Sequence, residues 1–231
     1  MQKGLKIIIF IFLCSQGVHA QGINITGKEV EACLRGGHNR SFNFFEDVSI
    51  IGSIEMNSRY SIKGGFSIGS LDSALAIKAF TLAQFVPFDK IDFLNFSLAY
   101  IYNGLPNYDA HSHTILPLVS IAAKRAGIAV GTSLRFTSFI GEDAVFESIL
   151  SFSCYVNFIN SEMLRIGISL SNFNNFAANN FGAFTFAVNS QVRLNEHWAI
   201  VNDLELMQSG IDGFSAAFYG FAWRGGAKFS W

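Results

Sequence analysis

The sequence predicts an all-β chain, a closed antiparallel transmembrane β-barrel of about 12 strands, with 10 as the alternative count. Three observations predict it. Side-chain character alternates with period two through most of the chain; a short basic and apolar segment at the start fits an export signal; and no later stretch holds the ~20 continuous apolar residues of a membrane helix. In lipid every backbone N–H and C=O must be paired within the protein, so a chain that crosses with strands must close its sheet.

The start divides from the rest. Met1 to Lys6 is short and basic, Ile7 to Leu13 is apolar but too short to span a bilayer, and Val18-His19-Ala20 offers the small residues a signal peptidase prefers. Residues 1–20 are expected to be a signal peptide and 21–231 a single barrel domain beginning at Gln21. Cys14 follows Leu13 with no small residue before it, which argues against a lipoprotein.

Four internal segments alternate cleanly. Tyr60, Ile62, Gly64, Phe66 and Ile68 oppose Ser61, Lys63, Gly65, Ser67 and Gly69. Phe146, Ser148, Leu150, Phe152, Cys154, Val156 and Phe158 oppose Glu147, Ile149, Ser151, Ser153, Tyr155 and Asn157. Leu164, Ile166, Ile168 and Leu170 oppose Arg165, Gly167, Ser169 and Ser171, and Phe184, Phe186, Val188 and Val192 oppose Thr185, Ala187, Asn189, Gln191 and Arg193. Less regular versions run through 28–35, 47–57, 73–85, 90–102, 114–123, 127–139 and 197–207. The connections between segments alternate between longer and tight, as they do when both chain ends lie on one side. The first segment, 28–35, is the weak link; were it a tail or plug, the count would fall to about 10. The Asn/Ala-rich stretch Asn172–Asn180 reads as an exposed loop.

The last thirteen residues alternate strictly. Tyr219, Phe221, Trp223, Gly225, Ala227, Phe229 and Trp231 share one face, and Gly220, Ala222, Arg224, Gly226, Lys228 and Ser230 the other. This segment resembles the closing strand of bacterial outer-membrane β-barrel proteins of porin-like type, in which the final aromatic and the alternating residues before it form an insertion signal. The resemblance implies that Tyr219, Phe221, Trp223, Phe229 and Trp231 play that role, that the chain resides in the bacterial outer membrane among its lipids, and that the barrel-assembly machinery is a partner.

Composition agrees. Half of the residues are hydrophobic and 14% charged, with 25 Phe, 21 Gly and 3 Pro, too apolar for an ordinary secreted enzyme of this size. The net charge of −1 gives no basic surface for nucleic acid. Of the three cysteines, Cys33 and Cys154 fall outside the signal, on opposite strand phases, and no cofactor or structural metal motif is present in the spacing.

Charges fall on the polar phase: Glu29, Glu31, Arg35, Glu55, Lys63, Lys78, Arg135, Glu147, Arg165, Asp203, Glu205, Arg224 and Lys228. A charge on the lipid face at the midplane costs ~2–4 kcal/mol, so this phase is expected to face the lumen. Lys63, Lys78, Arg135, Glu147, Arg165, Asp203, Glu205, Arg224 and Lys228 are the candidate pore-lining set. Asp203 and Glu205 are expected to sit together beside Arg224 and Lys228, as a constriction or as a salt-bridge cluster holding the last strand in register. Mixed signs imply a narrow channel for small polar solutes with weak ion selectivity. The alternatives are a plugged structural or adhesive barrel acting through its outer loops and, more remotely, an outer-membrane enzyme. His111 and His113 fall on one strand face, where a metal could bind with Asp109 or His38, but an H-x-H in an exposed loop is usually solvated. Ser112 points away from both histidines, so no hydrolase constellation is formed. His197 beside Trp198 reads as an interfacial belt residue.

Overall fold

The computed structural model describes residues 25–39, 44–56, 59–71, 74–87, 93–178, 183–209 and 217–231. The expected signal segment 1–20, the start at Gln21 and parts of several connections lie outside the described residues. The wall consists of β1 (Ile25–Asn39), β2 (Phe44–Met56), β3 (Tyr60–Leu71), β4 (Ala74–Phe85), β5 (Leu94–Leu105), β6 (Ala110–Ala122), β7 (Ala126–Ser138), β8 (Val145–Asn160), β9 (Leu164–Ser171), β12 (Ala183–Arg193), β13 (Trp198–Ser209) and β14 (Ala217–Ser230). Neighbours in the chain pair antiparallel, β9 pairs with β12, and β14 pairs with β1, closing a 12-strand barrel. Two short strands, β10 (Phe173–Asn174) and β11 (Ala177–Ala178), form a separate hairpin.

Alternation assigns the faces. Leu34, Val48, Ile50, Ile62, Ile68, Leu98, Val130, Leu150, Val188 and Leu204 are exposed on the outer wall, whereas Ser49, Ser67, Thr114, Ser133, Ser151, Ala187 and Ala222 are buried inside. Ile168 pairs with Val188 in register, so it shares the outward face. Two donors on that face find acceptors on Asn202: the Trp223 indole N–H donates to Asn202 Oδ1, and Ser190 Oγ donates to the Asn202 carbonyl at 3.2 Å. An unsatisfied amide facing hydrocarbon would cost several kcal/mol. Aromatic rings gather at both barrel ends. Trp198 and Phe229 lie 4.8 Å apart, Phe229 and Trp231 5.5 Å, and Tyr60 stacks on Phe85 at 5.0 Å. At the other end Phe136 meets Phe146 at 4.8 Å. Amphipathic rings favour the membrane–water boundary.

The first strand is no tail. β1 pairs with β2 on one edge and with β14 on the other, from Glu29↔Ser230 to Asn39↔Gly220, so the 10-strand alternative falls. Strands also run further than the pattern suggested. Between the expected segments 90–102 and 114–123 the connection shrinks to a 3-10 turn over Pro106–Tyr108 and Asp109, whose φ of 45° lies in the left-handed region that Asp tolerates. His111 and His113 therefore belong to β6 and not to an exposed loop. Close strand approach explains Gly226: a Cβ there would run into the Ala32 carbonyl oxygen and Cys33 Sγ of β1.

In a protein with Cys33 and Cys154 replaced by serine, Arg165→Cys is expected to react with a membrane-impermeant thiol reagent in proteoliposomes while Ile166→Cys stays silent. Labelling at 166 with silence at 165 would reverse the assignment of faces.

Candidate functional site

Inside the barrel the charges concentrate along the closing seam. Arg224 on β14 stands between its two neighbours, ion-paired with Glu31 of β1 and, at 3.1 Å, with Asp203 of β13. Asn189 Nδ2 donates to the second Asp203 oxygen at 2.9 Å, and Ser169 Oγ donates to the Asn189 amide oxygen at 2.9 Å, continuing the network onto β12 and β9. Lys228 pairs with Glu29 at 2.6 Å. Arg35 of β1 reaches across β14 to Glu205 of β13 at 2.6 Å. It can do so because Glu205 lies opposite Ala222, which presents only a methyl group. Asp47 of β2 holds Lys78 at 3.3 Å and approaches Arg35 at 3.7 Å.

The expected pore-lining residues all occupy the inward phase but do not form one constriction. Asp203 and Glu205 have separate partners, Arg224 and Arg35, and Lys228 belongs with Glu29, so the proposed four-residue cluster is corrected to two ion-pair tiers and a lower pair. Lys63 faces the same seam, without a direct ion pair among the described residues. Arg135 and Glu147 are register partners on β7 and β8, paired at 2.7 Å away from the seam. Arg165 is exposed near the end where residues 25 and 231 lie, its Nε donating to Asn160 Oδ1 at 3.3 Å. Asp47 escaped the sequence reading because the irregular start of its strand hid it, although it shares the phase of Ser49.

Of the stretch expected to be an exposed loop, the described residues 172–178 fold inward instead. Asn172 is fully buried. Where β9 ends, its side-chain amide replaces a strand partner: Asn172 Nδ2 donates to the Leu150 carbonyl at 2.7 Å and accepts the Phe152 N–H on Oδ1 at 2.7 Å. Its backbone N–H donates to the Phe152 carbonyl at 3.1 Å. The chain then turns into β10 and β11, with the Phe176 N–H donating to Asn174 Oδ1 at 2.8 Å across the tip. Phe176 packs edge-on against Phe80 at 5.0 Å and joins Ile51, Ile101 and Leu82; Phe173 joins Ala99, Leu116, Leu118 and Leu82. Both phenylalanines are partly buried, so each stabilises the inward position by less than the roughly 1.5–3 kcal/mol of a fully buried side chain. These wall residues lie on the inward phase of β2, β4, β5 and β6, which is why several of those segments alternate poorly. Apolar residues on a lumen phase are the signal that could have revealed an internal partner.

Between hairpin and seam lies a cavity of about 450 Å³. Arg35, Asp47, Lys78, Glu205 and Arg224 line one side, and Asn174, Asn175 and Phe176 the other.

Elsewhere, Phe221, Trp223, Phe229 and Trp231 occupy the outward phase of β14, while the Tyr219 side chain lies outside the described residues. His111 and His113 face outward with ring centroids 5.4 Å apart, and the Tyr100 hydroxyl lies 2.7 Å from His113 Nδ1. Among the described residues no three His, Cys, Asp or Glu side chains converge on a metal-sized site. Both described cysteines are free.

No family model and no curated protein matches the sequence. Solved structures match the fold. A KdgM porin in complex with disordered oligogalacturonate superposes with a TM-score of 0.57 at 8% identity, over 87% of this chain and 99% of that one. The NanC porin gives 0.57 at 10% identity, over 86% and 98%. The translocator domain of the autotransporter NalP from Neisseria meningitidis gives 0.52 at 12%, over 98% and 95%. The fold is therefore that of a porin-like outer-membrane β-barrel.

Asn172→Ala leaves the Leu150 carbonyl and Phe152 N–H without their side-chain partner, a loss of about 1–3 kcal/mol for buried groups. The expected result is a folded, heat-modifiable barrel whose 173–178 hairpin becomes open to limited proteolysis; unchanged protection would show that the phenylalanines alone hold it.

Proposed function

We propose that the protein is a narrow channel of the bacterial outer membrane through which small polar solutes diffuse with little preference between cations and anions. The observation that supports this reading is the cavity between the in-folded hairpin and the ion-paired seam. Its apolar side is set by Phe176, and its polar side offers groups that can replace part of a solute's hydration. Arg35, Lys78, Arg224 and Lys228 are each paired with a carboxylate, so their fields largely cancel within a few ångströms. A transmembrane passage without a charged constriction of one sign discriminates weakly between ions.

The reading is non-enzymatic. Its rival is a plugged barrel acting through its outer loops, which the presence of a hairpin in the lumen favours. Liposome swelling separates the two. The channel reading expects entry of small sugars and amino acids with a sharp size limit; a folded barrel that admits none of them supports the plug.

Ion preference gives a second test. Arg224→Gln leaves Glu31 and Asp203 without their shared cation, so the reversal potential in a salt gradient is expected to move towards cations. An unmoved potential in a conducting variant would place the ion path away from this tier.

Membrane insertion is proposed to depend on the aromatic end of β14, supported by the Trp198, Phe229 and Trp231 ring cluster at the barrel rim. Removing Trp231 is expected to leave exported protein that fails to become a heat-modifiable barrel, in partnership with the assembly machinery and outer-membrane lipid. Normal insertion of the truncated chain would remove that role.

A further inference from the structure

The cavity between hairpin and seam has the makings of a binding site as well as a passage. Its volume, about 450 Å³, falls within the roughly 300–1,000 Å³ of small-molecule sites. Its inward titratable lining carries three cations, Arg35, Lys78 and Arg224, and two carboxylates, Asp47 and Glu205, while Glu46 borders it from the outward phase of β2. A ligand carrying one kind of charge would meet like charges as well as opposite ones there. A ligand carrying both kinds can set each against its opposite.

The ion pairs are unequal in a way that matters. Arg35 holds Glu205 tightly, at 2.6 Å, but only approaches Asp47, at 3.7 Å. Lys78 holds Asp47 at 3.3 Å, longer than the ~2.7–2.9 Å of a strong charge-assisted bond. The Arg35, Asp47 and Lys78 group is thus loosely closed, with the two cations on either side of one carboxylate. A carboxylate entering between Lys78 and Arg35 would gain both donors, and an ammonium beside it would take the freed Asp47. Opposite stand Phe176, an apolar surface for a side group, and the amides of Asn174 and Asn175, which can bond to a peptide unit.

The geometry points to a site for small zwitterions, amino acids or dipeptides, bound by the Arg35, Asp47 and Lys78 group against the hairpin face at Phe176. This deepens the channel reading, on which it rests for the route by which solute arrives. The ligand bridges the hairpin and the seam, so its occupancy also narrows the passage.

Titration calorimetry of the refolded full barrel in detergent tests the site without any need for conduction. The probes are glycyl-phenylalanine, its N-acetylated form, its amide, and the doubly capped molecule. The zwitterion is expected to bind at least about tenfold more tightly than any capped form, since each cap removes a charge-assisted contact. In heat-modifiable Lys78→Met and Asp47→Asn variants that advantage is expected to shrink several-fold. Equal affinity for zwitterion and capped forms, preference for a singly charged form, or no binding of the zwitterion by folded protein overturns the site. Conducting steps in a bilayer without zwitterion binding leave the channel standing and remove this inference, whereas binding without steps removes the channel and keeps the site.

Discussion

Barrel closure is the constraint on which everything else depends. A strand edge facing hydrocarbon would leave a row of N–H and C=O groups without partners, each costing several kcal/mol, so β1 and β14 must meet along their length. They meet from Glu29↔Ser230 to Asn39↔Gly220. Small residues on β14, among them Gly226 and Ala222, let the inner surfaces approach, and the space they leave is crossed by long charged side chains of the neighbouring strands. Arg224 touches both neighbours of its own strand, and Arg35 spans β14 to reach β13. Losing one partner of such a sheltered pair is far costlier than losing an exposed one, because the other charge stays behind without its hydration. The ion pairs thus hold the closing strands in one register.

That seam makes the lumen asymmetric. Charges collect on β1, β2, β4, β13 and β14, whereas the inward residues of β4, β5 and β6 include Phe80, Ile101, Leu116 and Leu118. Water would wet an apolar inner wall poorly, and the phenylalanines of the 173–178 hairpin cover it. Asn172 makes the turn inward possible by meeting the backbone groups of β8 that β9 no longer reaches. The resulting cavity has an apolar, amide-bearing side and a salt-bridged side.

Much of this was legible in the sequence, and the exceptions share a physical origin. Strands such as Leu164–Ser171 and Tyr60–Leu71 alternate because one face meets lipid and the other a polar interior. The same logic blurred the pattern where the interior is itself apolar: in Leu94–Leu105 and Ala110–Ala122 both faces carry hydrophobic residues. Asn172–Asn180 looked like a solvated loop because its composition favours turns; what sends its described part, 172–178, inward is tertiary, a match between two phenylalanines and a distant inner wall. The charged residues revealed their phase but not their partners. Whether Glu205 pairs with Arg224 or with Arg35 depends on the small size of Ala222 and on the order in which strands close, neither of which the spacing along one strand records.

The central claim is that a water-filled path survives between hairpin and seam. Single-channel recording of the refolded protein in a planar bilayer, beside the Asn172→Ala form, tests it most directly. The account expects discrete small steps from the unaltered protein and larger steps once the hairpin anchor is removed. Silence from a demonstrably folded barrel, or steps of unchanged size after the hairpin is shown to be released, would contradict it.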